Sequence, residues 1–334
     1  MASRVQHRSA SQRARIFNAG AIRAGSSERR SFTPGLYVGA VLNLGAGQQA
    51  VRYHLIHAAG SQADSFALNN SQVDIGAYRY QLALNQDGTQ ADDWYLSTSR
   101  QSMSETTRNA VMLANVTPTI WNSELFILRS RLGELRGQAP SNSVWGKYIT
   151  GKNRVTNNVA YDQTMNGFMV GADRQFDLQT ARLFVGGLFS YSDSDLKADD
   201  SRGKVDSYAL GMYTTWLHDS GYYVDGVVKV NRFKTDNDAR FNAGTSKAND
   251  KTTGVGVSIE AGKHIVIDSF FVEPYLQLAA FRGGKTKYGY SNGVQVEADS
   301  VKSVSAEAGL TLGKTFTLDS GALIKPYARI ALNH

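Results

Sequence analysis

The stretch VGVSIEA at residues 255–261 places apolar and polar side chains at alternate positions. Val257 and Ile259 share one parity, whereas Ser258 and Glu260 share the other. Alternate side chains of a β-strand point to opposite faces of the sheet. The stretch therefore predicts a strand with one apolar face and one polar face.

The same alternation recurs through the C-terminal part of the chain. From Val144 onward we count nine strand-like segments, separated by polar turns rich in Gly and Asp. Most segments run to about ten or more residues, which is long for a globular strand and suits a tilted strand crossing a membrane. We expect the apolar side chains, which share one parity, to contact lipid. A soluble sandwich shows the same alternation, so other features have to decide between the two.

Two further features favour the membrane barrel. Aromatic residues stand at segment ends, as expected for interfacial girdles: Trp145, Tyr148, Tyr191, Trp216, Tyr222, Tyr223, Phe233, Phe270, Tyr288 and Phe316. Glycines fall mainly on the polar parity and leave room for a threaded helix: Gly186, Gly211, Gly254, Gly256, Gly309 and Gly313. Pro274 and Pro326 conflict with strands at their positions, because proline donates no ladder hydrogen bond.

One helix is predicted before the repeating segments. Its apolar stripe is Trp121, Leu125, Leu128, Leu132 and Leu135, with a 4-3-4-3 spacing. Thr117 and Pro118 suit an N-cap and a first helical residue, whereas Gly137 and Pro140 suit a stop. A helix of about 19 residues would be ~28 Å long, close to the hydrocarbon thickness of a membrane.

Upstream of this helix, short apolar runs between about Pro34 and Leu96 predict strands with tight turns. Residues 51–57 alternate, which would place His54 and His57 on opposite faces, and we expect no metal site there. Asp219-Ser220-Gly221 and Asp319-Ser320-Gly321 resemble the nucleophile region of trypsin-like proteases, but their positions between strands favour hairpin turns.

Composition limits the other possibilities. Six of the seven net positive charges lie in residues 1–30, which carry seven Arg and one acid, so the net charge does not indicate nucleic-acid binding by the fold. We expect residues 1–33 to be a disordered or artefactual basic tail, although a nucleic-acid or lipid-binding arm stays open. The chain has no Cys, which excludes disulfides and thiolate sites. Its mean hydropathy is −0.32, and it has no apolar run of about 20 residues.

Several motifs together resemble one known family. RLGELR at 131–136 followed by VWGKY at 144–148 is similar to the entrance of the autotransporter β-domain of the pertactin-like family. Further similar motifs are NGFMVGAD at 166–173, GYYVD at 221–225, SIEAG at 258–262, EPYLQLA at 273–279 and KPYAR at 325–329. VDIGAYRY at 73–80 through Trp94-Tyr95-Leu96 resembles the closing segment of the passenger's right-handed β-helix.

The resemblance implies an all-β fold: a transmembrane antiparallel β-barrel threaded by an α-helix and preceded by the end of a right-handed parallel β-helix. The family has twelve strands, so we expect a truncated chain that lacks about three of them. Some relatives cut themselves at an Asn pair in the helix. Phe126 and Ile127 occupy that position here, and Phe cannot supply the attacking amide, so we predict no cleavage between them.

The expected functional residues are those that line the lumen or contact the helix: Glu260, Glu307, Lys229, Arg329, Tyr275, Arg129, Arg131 and Glu134. The inward residues could pair with one another or with the helix. Such pairs could hold the helix as a plug, or they could form the polar wall of a translocation path, and both roles are compatible. No catalytic residue, metal or cofactor is expected.

We therefore expect four regions: the tail at 1–33, the end of the passenger at 34–103, the linker and pore helix at 104–140, and the barrel at 141–334. The predicted function is anchoring in the outer membrane of a Gram-negative bacterium and export of the passenger to the cell surface. The expected partners are outer-membrane lipid, the barrel assembly machinery and the passenger itself. A surface adhesin or virulence factor, and a soluble all-β binding protein, are the alternatives.

Overall fold

A computed structural model describes residues 35–36, 52–68, 71–85, 92–98, 102–136, 142–156, 159–198, 201–241, 244–291, 295–317 and 323–334. The basic tail, Gly137, Pro140 and the Asp319-Ser320-Gly321 motif lie outside these residues. Within the described residues, no helix contains an apolar stretch that is long enough to cross a bilayer.

The described residues form one helix and twenty strands. The N-terminal strands are β1 Gly35–Leu36, β2 Tyr53–His57, β3 Ala67–Leu68, β4 Val73–Ile75, β5 Tyr78–Asn85 and β6 Asp93–Ser97, and the helix α1 spans Glu105–Arg136. The following strands are β7 Ser143–Val155, β8 Tyr161–Asp177, β9 Ala181–Ala198, β10 Ser201–His218, β11 Tyr222–Phe241, β12 Gly244–Lys263 and β13 Ile265–Ile267. The last are β14 Phe270–Gly283, β15 Thr286–Gly289, β16 Gln295–Ala298, β17 Lys302–Lys314, β18 Phe316–Thr317, β19 Leu323–Ile324 and β20 Tyr327–Asn333.

Nine of these strands form one antiparallel sheet in the order β20-β17-β14-β12-β11-β10-β9-β8-β7, and β13 adds to β14. The sheet curls around α1, which contacts β7, β9, β10, β11, β12 and β14. The nine long segments predicted from alternation are thus confirmed. Within the described residues, β7 and β20 are the two edges of the sheet and do not pair with each other.

The two faces of the sheet follow the predicted parity. Leu210 is 67% exposed and Val257 is 46% exposed on the outer face, whereas Ser207 and Asn231 are fully buried on the inner face. The helical stripe from Trp121 to Leu135 is also buried, as predicted. The apolar face of this sheet therefore points away from the rest of the protein. In a soluble sandwich, the apolar face packs against the core.

The ends of the sheet differ. At one end, here called the short end, β8 and β9 are joined by residues 178–180, and β10 and β11 by residues 219–221, directly beside the apolar outer residues. At the other, here called the extended end, β11 and β12 continue well past the apolar residues, and each strand is 20 residues long. Gly221 has a φ of 88°, so the Asp219-Ser220-Gly221 motif is a hairpin turn.

The helix begins earlier than predicted. Pro118 lies inside α1, which starts at Glu105 and has 32 residues, so its length is about 48 Å. Ser104 is the N-cap, since its Oγ accepts the Thr107 N–H at 3.3 Å, and Asp74 accepts the Glu105 N–H at 2.8 Å. These cap contacts and the packing on both sides of Pro118 outweigh the loss of one helical hydrogen bond.

Three aromatic assignments need correction. Trp145, Tyr223 and Phe233 were predicted to lie in the girdles, but they are buried on the inner face at 8%, 1% and 0% exposure. Their parity, not their position at segment ends, decides this, because an inward aromatic ring packs in the lumen. Tyr148 and Tyr222 are exposed on the outside, as expected for girdle residues.

The prolines do not interrupt the sheet. Pro274 lies where the neighbour of β14 changes from β12, which pairs with Tyr275 onward, to β13, which pairs with Val272 and the residues before it. Pro326 precedes β20 and is therefore outside the ladder. Neither proline therefore stands where a neighbouring strand requires a backbone N–H donor, so both prolines are compatible with the sheet.

The N-terminal strands form small sheets of their own. β1 and β3 pair in parallel, as rungs of a β-helix do, and β2, β6, β5 and β4 form a sheet whose pairs are antiparallel. A β-bulge between His54 and Ile56 breaks the predicted alternation of residues 51–57. His54 and His57 consequently reach the same carboxylate, that of Asp93, at 3.3 and 2.7 Å, so the prediction of opposite faces was wrong.

Candidate functional site

The candidate site is the polar inner face of the sheet together with the helix that fills it. Inner-face glycines make room for the helix: a Cβ on Gly256 would lie 2.1 Å from the Trp121 ring, and one on Gly203 would lie 3.3 Å from Leu113. The predicted role of the inner-face glycines is confirmed at Gly256. Polar and charged contacts then fix the helix at three levels along its length.

The first level joins the N-terminal sheet to the start of the helix. Arg79 donates to Asp74 at 2.8 Å and to Glu105 at 2.7 Å, and the Ser104 hydroxyl donates to the Gly76 carbonyl. The hydrogen bond to Asp74 is the main reason why the pKa of Arg79 is raised above its usual value. Ser201 of β10 also donates to Glu105, at 3.1 Å. One carboxylate thus contacts both the N-terminal sheet and the extended end of the barrel sheet.

The second level is a fully buried ion pair halfway along the helix. Glu124 accepts hydrogen bonds from Lys229 at 2.5 Å, from Ser192 at 2.7 Å and from Asn231 at 2.8 Å. The side chains of Glu124 and Lys229 have no exposed surface. Lys229 was predicted to face the lumen, whereas its partner Glu124 was not singled out.

The third level holds the last two turns of the helix with three arginines. Arg129 donates to Glu260 at 2.7 Å and to Glu307 at 2.9 Å. Tyr275 donates to Glu307 at 2.7 Å, and its ring centroid is 5.1 Å from the Arg129 guanidinium. Tyr223 donates to Glu260 at 2.9 Å. Both acids therefore bind the helix and are held by a strand tyrosine as well.

Arg131 points to the other side of the lumen. It binds Asp173 of β8 at 2.8 Å, and this carboxylate also accepts the Tyr213 hydroxyl at 2.7 Å. Trp145 donates its indole N–H to Tyr213 at 2.6 Å, which gives this inward tryptophan its polar partner. Glu134 has a side chain that is 42% exposed; it pairs with Lys147 and lies 3.5 Å from Arg131.

Arg136 completes the third level at the helix terminus. It donates to Asp225 at 2.6 Å and to Glu273 at 3.1 Å, and its guanidinium lies 3.9 Å from the centre of the Tyr223 ring. A cation at this position also complements the helix dipole. Arg136, Asp225 and Glu273 were not among the predicted site residues. The seven-residue spacing from Arg129 and the inward parity of both acids were the available signals.

Arg329 is the one predicted site residue that contacts only the strands. Its Nε donates to Thr311 at 3.2 Å, and its guanidinium lies 4.9 Å from the centre of the Tyr275 ring. A cavity of about 490 Å³ opens beside it at the short end, between the last helical turns and β14, β17 and β20. Its charged lining includes Arg129, Arg136, Glu273 and Arg329.

Two family models match the chain. The autotransporter beta-domain model covers residues 144–334, and the pertactin model covers residues 33–98. The first match spans more than half of the chain, and the second covers the small N-terminal sheets. The helix lies between them.

Individual relatives agree with these matches. The BrkA autotransporter of Bordetella pertussis is 31% identical over 292 residues, which are 85% of this chain and 28% of BrkA. The autotransporter CRAC of Citrobacter rodentium is 32% identical over 82% of this chain and 18% of its own length. The autotransporter adhesin/invasin TibA of Escherichia coli is 38% identical over 71% of this chain and 25% of TibA. The chain thus spans less than a third of the length of each of these three.

Solved structures are similar too. The crystal structure of the beta domain of BrkA matches with a TM-score of 0.53 and 28% identity, over 58% of this chain and 79% of that one. The translocator domain of NalP from Neisseria meningitidis has a TM-score of 0.53 at 12% identity, which shows a likeness of fold. The chain therefore belongs to the autotransporter β-domain family, and its N-terminal sheets match the pertactin model.

Proposed function

We propose that the curled sheet anchors the chain in the outer membrane, that the passenger is exported through it, and that α1 then stays in the lumen as tether and plug. One observation carries the proposal: the sheet is apolar outside, and its polar inside is filled by a helix held by buried ion pairs. A helix that only packed in a core would need no such charges, because buried ions lose their hydration.

The outer apolar band has the height of a membrane. On β17 it runs from Val304 to Leu312 between two cations, Lys302 and Lys314. These nine residues match the 9–11 or so that a tilted transmembrane strand needs. Val304 is 79% exposed and Ile330 is 71% exposed, which in water would favour aggregation. Lipid is therefore the proposed partner of this face, and the soluble binding protein is not retained.

The two ends of the sheet give its direction. Barrels of this class have short turns on the periplasmic side and longer excursions outside the cell. The short end, where Arg136 closes the helix, is accordingly assigned to the periplasm. The extended end carries Glu105 and the N-terminal sheet, which places the passenger outside the cell.

The charged residues of the third level are proposed to retain the plug. Glu260 and Glu307 bind Arg129, and Asp173 binds Arg131. These carboxylates also make the lumen wall polar before the helix enters it. Before the helix is seated, the same wall would face an unfolded passenger and its water. Lys229, Arg329 and Tyr275 are proposed to belong to this wall, with Glu134 at its rim. No catalytic step is part of the proposal, and the barrel assembly machinery is the proposed partner for insertion.

Conductance measures the plug directly. Glu260→Gln removes the charge that binds Arg129, so we expect larger or noisier currents through the variant in planar bilayers. Glu297→Gln is the matched control, because Glu297 lies on β16 outside the lumen and is 3.8 Å from Lys287. Heat-modifiable migration, in which a folded barrel runs faster on a gel until it is boiled, shows that both variants are folded. Currents identical to the wild type in Glu260→Gln would count against the plug.

Surface exposure tests the direction. Proteinase K added to intact cells should cut within residues 52–98 and spare the barrel. Protection of the N-terminal sheet in intact cells, with cleavage only after the outer membrane is opened, would reverse the assignment of the two ends.

A passenger role in adhesion is the second candidate. The pertactin model matches residues 33–98, and TibA is described as an adhesin/invasin. Binding of cells that display the passenger to host cells or matrix, compared with cells that display the barrel alone, would separate adhesion from export.

A further inference from the structure

A row of cations lies on the outer face of the sheet, immediately past the apolar band towards the extended end. Lys234 on β11 stands directly opposite Lys251 on β12, and Arg282 on β14 stands directly opposite Lys302 on β17. Arg232 lies one outward position before Lys234. All five side chains are exposed. These two facing pairs with Arg232 are here called the basic belt.

The register of the basic belt is unfavourable in the protein alone. Side chains directly opposite in neighbouring strands lie about 4.5–5.5 Å apart at Cβ, and like charges there destabilise a sheet. Other cations near this end have acids beside them: Lys285 is 3.0 Å from Asp299, and Lys287 is 3.8 Å from Glu297. No ion pair joins the five belt residues to an acid within the described part of the chain.

Local contacts only partly account for the five cations. Arg232 donates to the Thr253 hydroxyl at 2.8 Å, and the Lys234 ammonium is 4.9 Å from the centre of the Tyr208 ring. Asp206 stands opposite Lys234 on its other side, where it accepts a hydrogen bond from Tyr191. Asp236 lies one outward position past Lys234 on β11, and Asp250 is close enough to Arg232 to interact with its charge. The five cations outnumber these three acids, so the belt retains a positive charge at the edge of the lipid.

We propose that the basic belt binds a glycolipid of the outer leaflet that carries two phosphate groups. This rests on the proposed membrane orientation, which puts the belt at the outer headgroup level. Arg282 pairs with Val255, four residues along β12 from Lys251. The two facing pairs are therefore two strand spacings apart across the sheet and four residues apart along it, or roughly 16 Å in all. Each pair can hold one phosphate between two cations, and lysine and arginine are the usual partners of phosphate oxygens.

The test uses the full chain folded in detergent micelles and native mass spectrometry with three probes: bisphosphorylated lipid A, its monophosphorylated form and inorganic phosphate. We expect wild-type protein to retain the bisphosphorylated lipid at least ~10-fold better than the monophosphorylated one, given about one order of magnitude for each pair of cations near an anionic lipid surface. Excess inorganic phosphate should not displace it. Displacement by phosphate would identify an anion site without lipid specificity and overturn the proposal.

Paired variants assign the binding to the belt. Lys234→Gln/Lys251→Gln and Arg282→Gln/Lys302→Gln should each lower lipid retention by roughly 10-fold to 30-fold. Lys285→Gln/Lys287→Gln removes two charges that already have acidic partners, and it should keep wild-type retention. Lys234→Arg/Lys251→Arg keeps the charges and should keep the lipid. Equal retention by all four variants would overturn the proposal.

Heat-modifiable migration separates this inference from the export function. Because the Gln substitutions remove like-charge pairs, the lipid-free variants should unfold at the same temperature as wild type or a higher one. Wild-type protein that shows no heat-modifiable migration would contradict the barrel itself. A heat-modifiable barrel without phosphate-dependent lipid retention would contradict only the basic belt.

Discussion

Lys229 and Glu124 form an ion pair that is entirely enclosed between the helix and the sheet. Taking both charges out of water is unfavourable, and their mutual attraction offsets this only because further hydrogen bonds are present. Ser192 and Asn231 supply them on the acid. The pair therefore fixes the register of the helix in the lumen more than it adds to stability.

Breaking this pair should be more harmful than replacing it. We expect Lys229→Met to lower the free energy of unfolding by about 3–5 kcal/mol, because it leaves Glu124 charged and unpaired in the lumen. Lys229→Met/Glu124→Leu should recover most of the loss, since an apolar pair of similar volume needs no hydration. Urea unfolding in micelles, followed by heat-modifiable migration, gives both values. A double variant as unstable as the single one would contradict this explanation.

Asp93 gives the N-terminal sheet a pH-dependent contact. Its pKa is lowered mainly by the hydrogen bond with His57 and further by His54. A lowered carboxyl pKa means that the stabilisation is present above the ordinary value of about 3.9 and is lost as the pH falls through the lowered one. Trp94 fluorescence titrated towards acid should therefore show a transition below about pH 4 that Asp93→Asn lacks. Superimposable curves for the two proteins would exclude this contact as a source of stability.

At the scale of elements, the helix shows both the reach and the limit of sequence patterns. The stripe from Trp121 to Leu135 was predicted correctly, because a helix buries side chains at its own period. Its start was misplaced by more than three turns, because Thr117 and Pro118 form a good local start signal. The N-cap is Ser104, and Asp74, which is 31 residues from Glu105 in sequence, adds a second acceptor. Local propensity cannot weigh two competing start signals when one of them is reinforced by a residue of another sheet.

The strands show the same contrast. Alternation predicted which side chains face outward, since that depends only on parity. The aromatic girdle was partly wrong because Trp145, Tyr223 and Phe233 were assigned by their positions at strand ends. Parity would have placed all three inside, where Trp145 binds Tyr213. For an aromatic residue in a barrel strand, parity is the stronger criterion.

Gly256 tests how closely the helix fits its strand. A Cβ there would approach the Trp121 ring to 2.1 Å, so Gly256→Ala should displace the helix and cost about 1–3 kcal/mol, as overpacking does. Gly187→Ala is the control, because its Cβ would meet nothing nearer than 3.9 Å. Trp121→Leu combined with Gly256→Ala should restore the midpoint of heat-modifiable migration. If the Gly256→Ala barrel had the wild-type midpoint of heat-modifiable migration and the wild-type conductance, the helix would not be closely packed against Gly256.

At the scale of the whole molecule, Arg79 links the N-terminal sheet to the helix through Asp74 and Glu105. Its side chain is 20% exposed, so Arg79→Met should weaken the junction by about 2 kcal/mol, as expected for lost hydrogen bonds to charged groups. Limited proteolysis should then cut the N-terminal sheet faster, while the barrel keeps its heat-modifiable migration. Arg52→Met is the control, since Arg52 lies over Tyr95 in the same sheet, 4.2 Å from the ring centre. Equal proteolysis of the two variants would contradict the role of Arg79.

The pairing inside the lumen could be anticipated only in outline. Inward parity identified Glu260, Glu307 and Lys229, and the helix contributed Arg129 and Arg131. The partners themselves depend on how far α1 slides and turns in the lumen, which Trp121, Gly256 and the cap at Ser104 determine together. Arg129 and Glu260 are 131 residues apart. Local sequence carries no information about that register, so Glu124 was missed, whereas Arg136 could have been found from its seven-residue spacing from Arg129.

The length of β11 and β12 has a consequence for the cell surface. Each has 20 residues, which at about 3.3 Å per residue and a tilt near 40° rise on the order of 50 Å. The apolar band takes up only about 25 Å of this height. Most of the remainder stands above the headgroups as a hydrophilic pedestal. In the proposed orientation, the passenger is therefore held on the order of 25 Å above the headgroups and not at the bilayer surface.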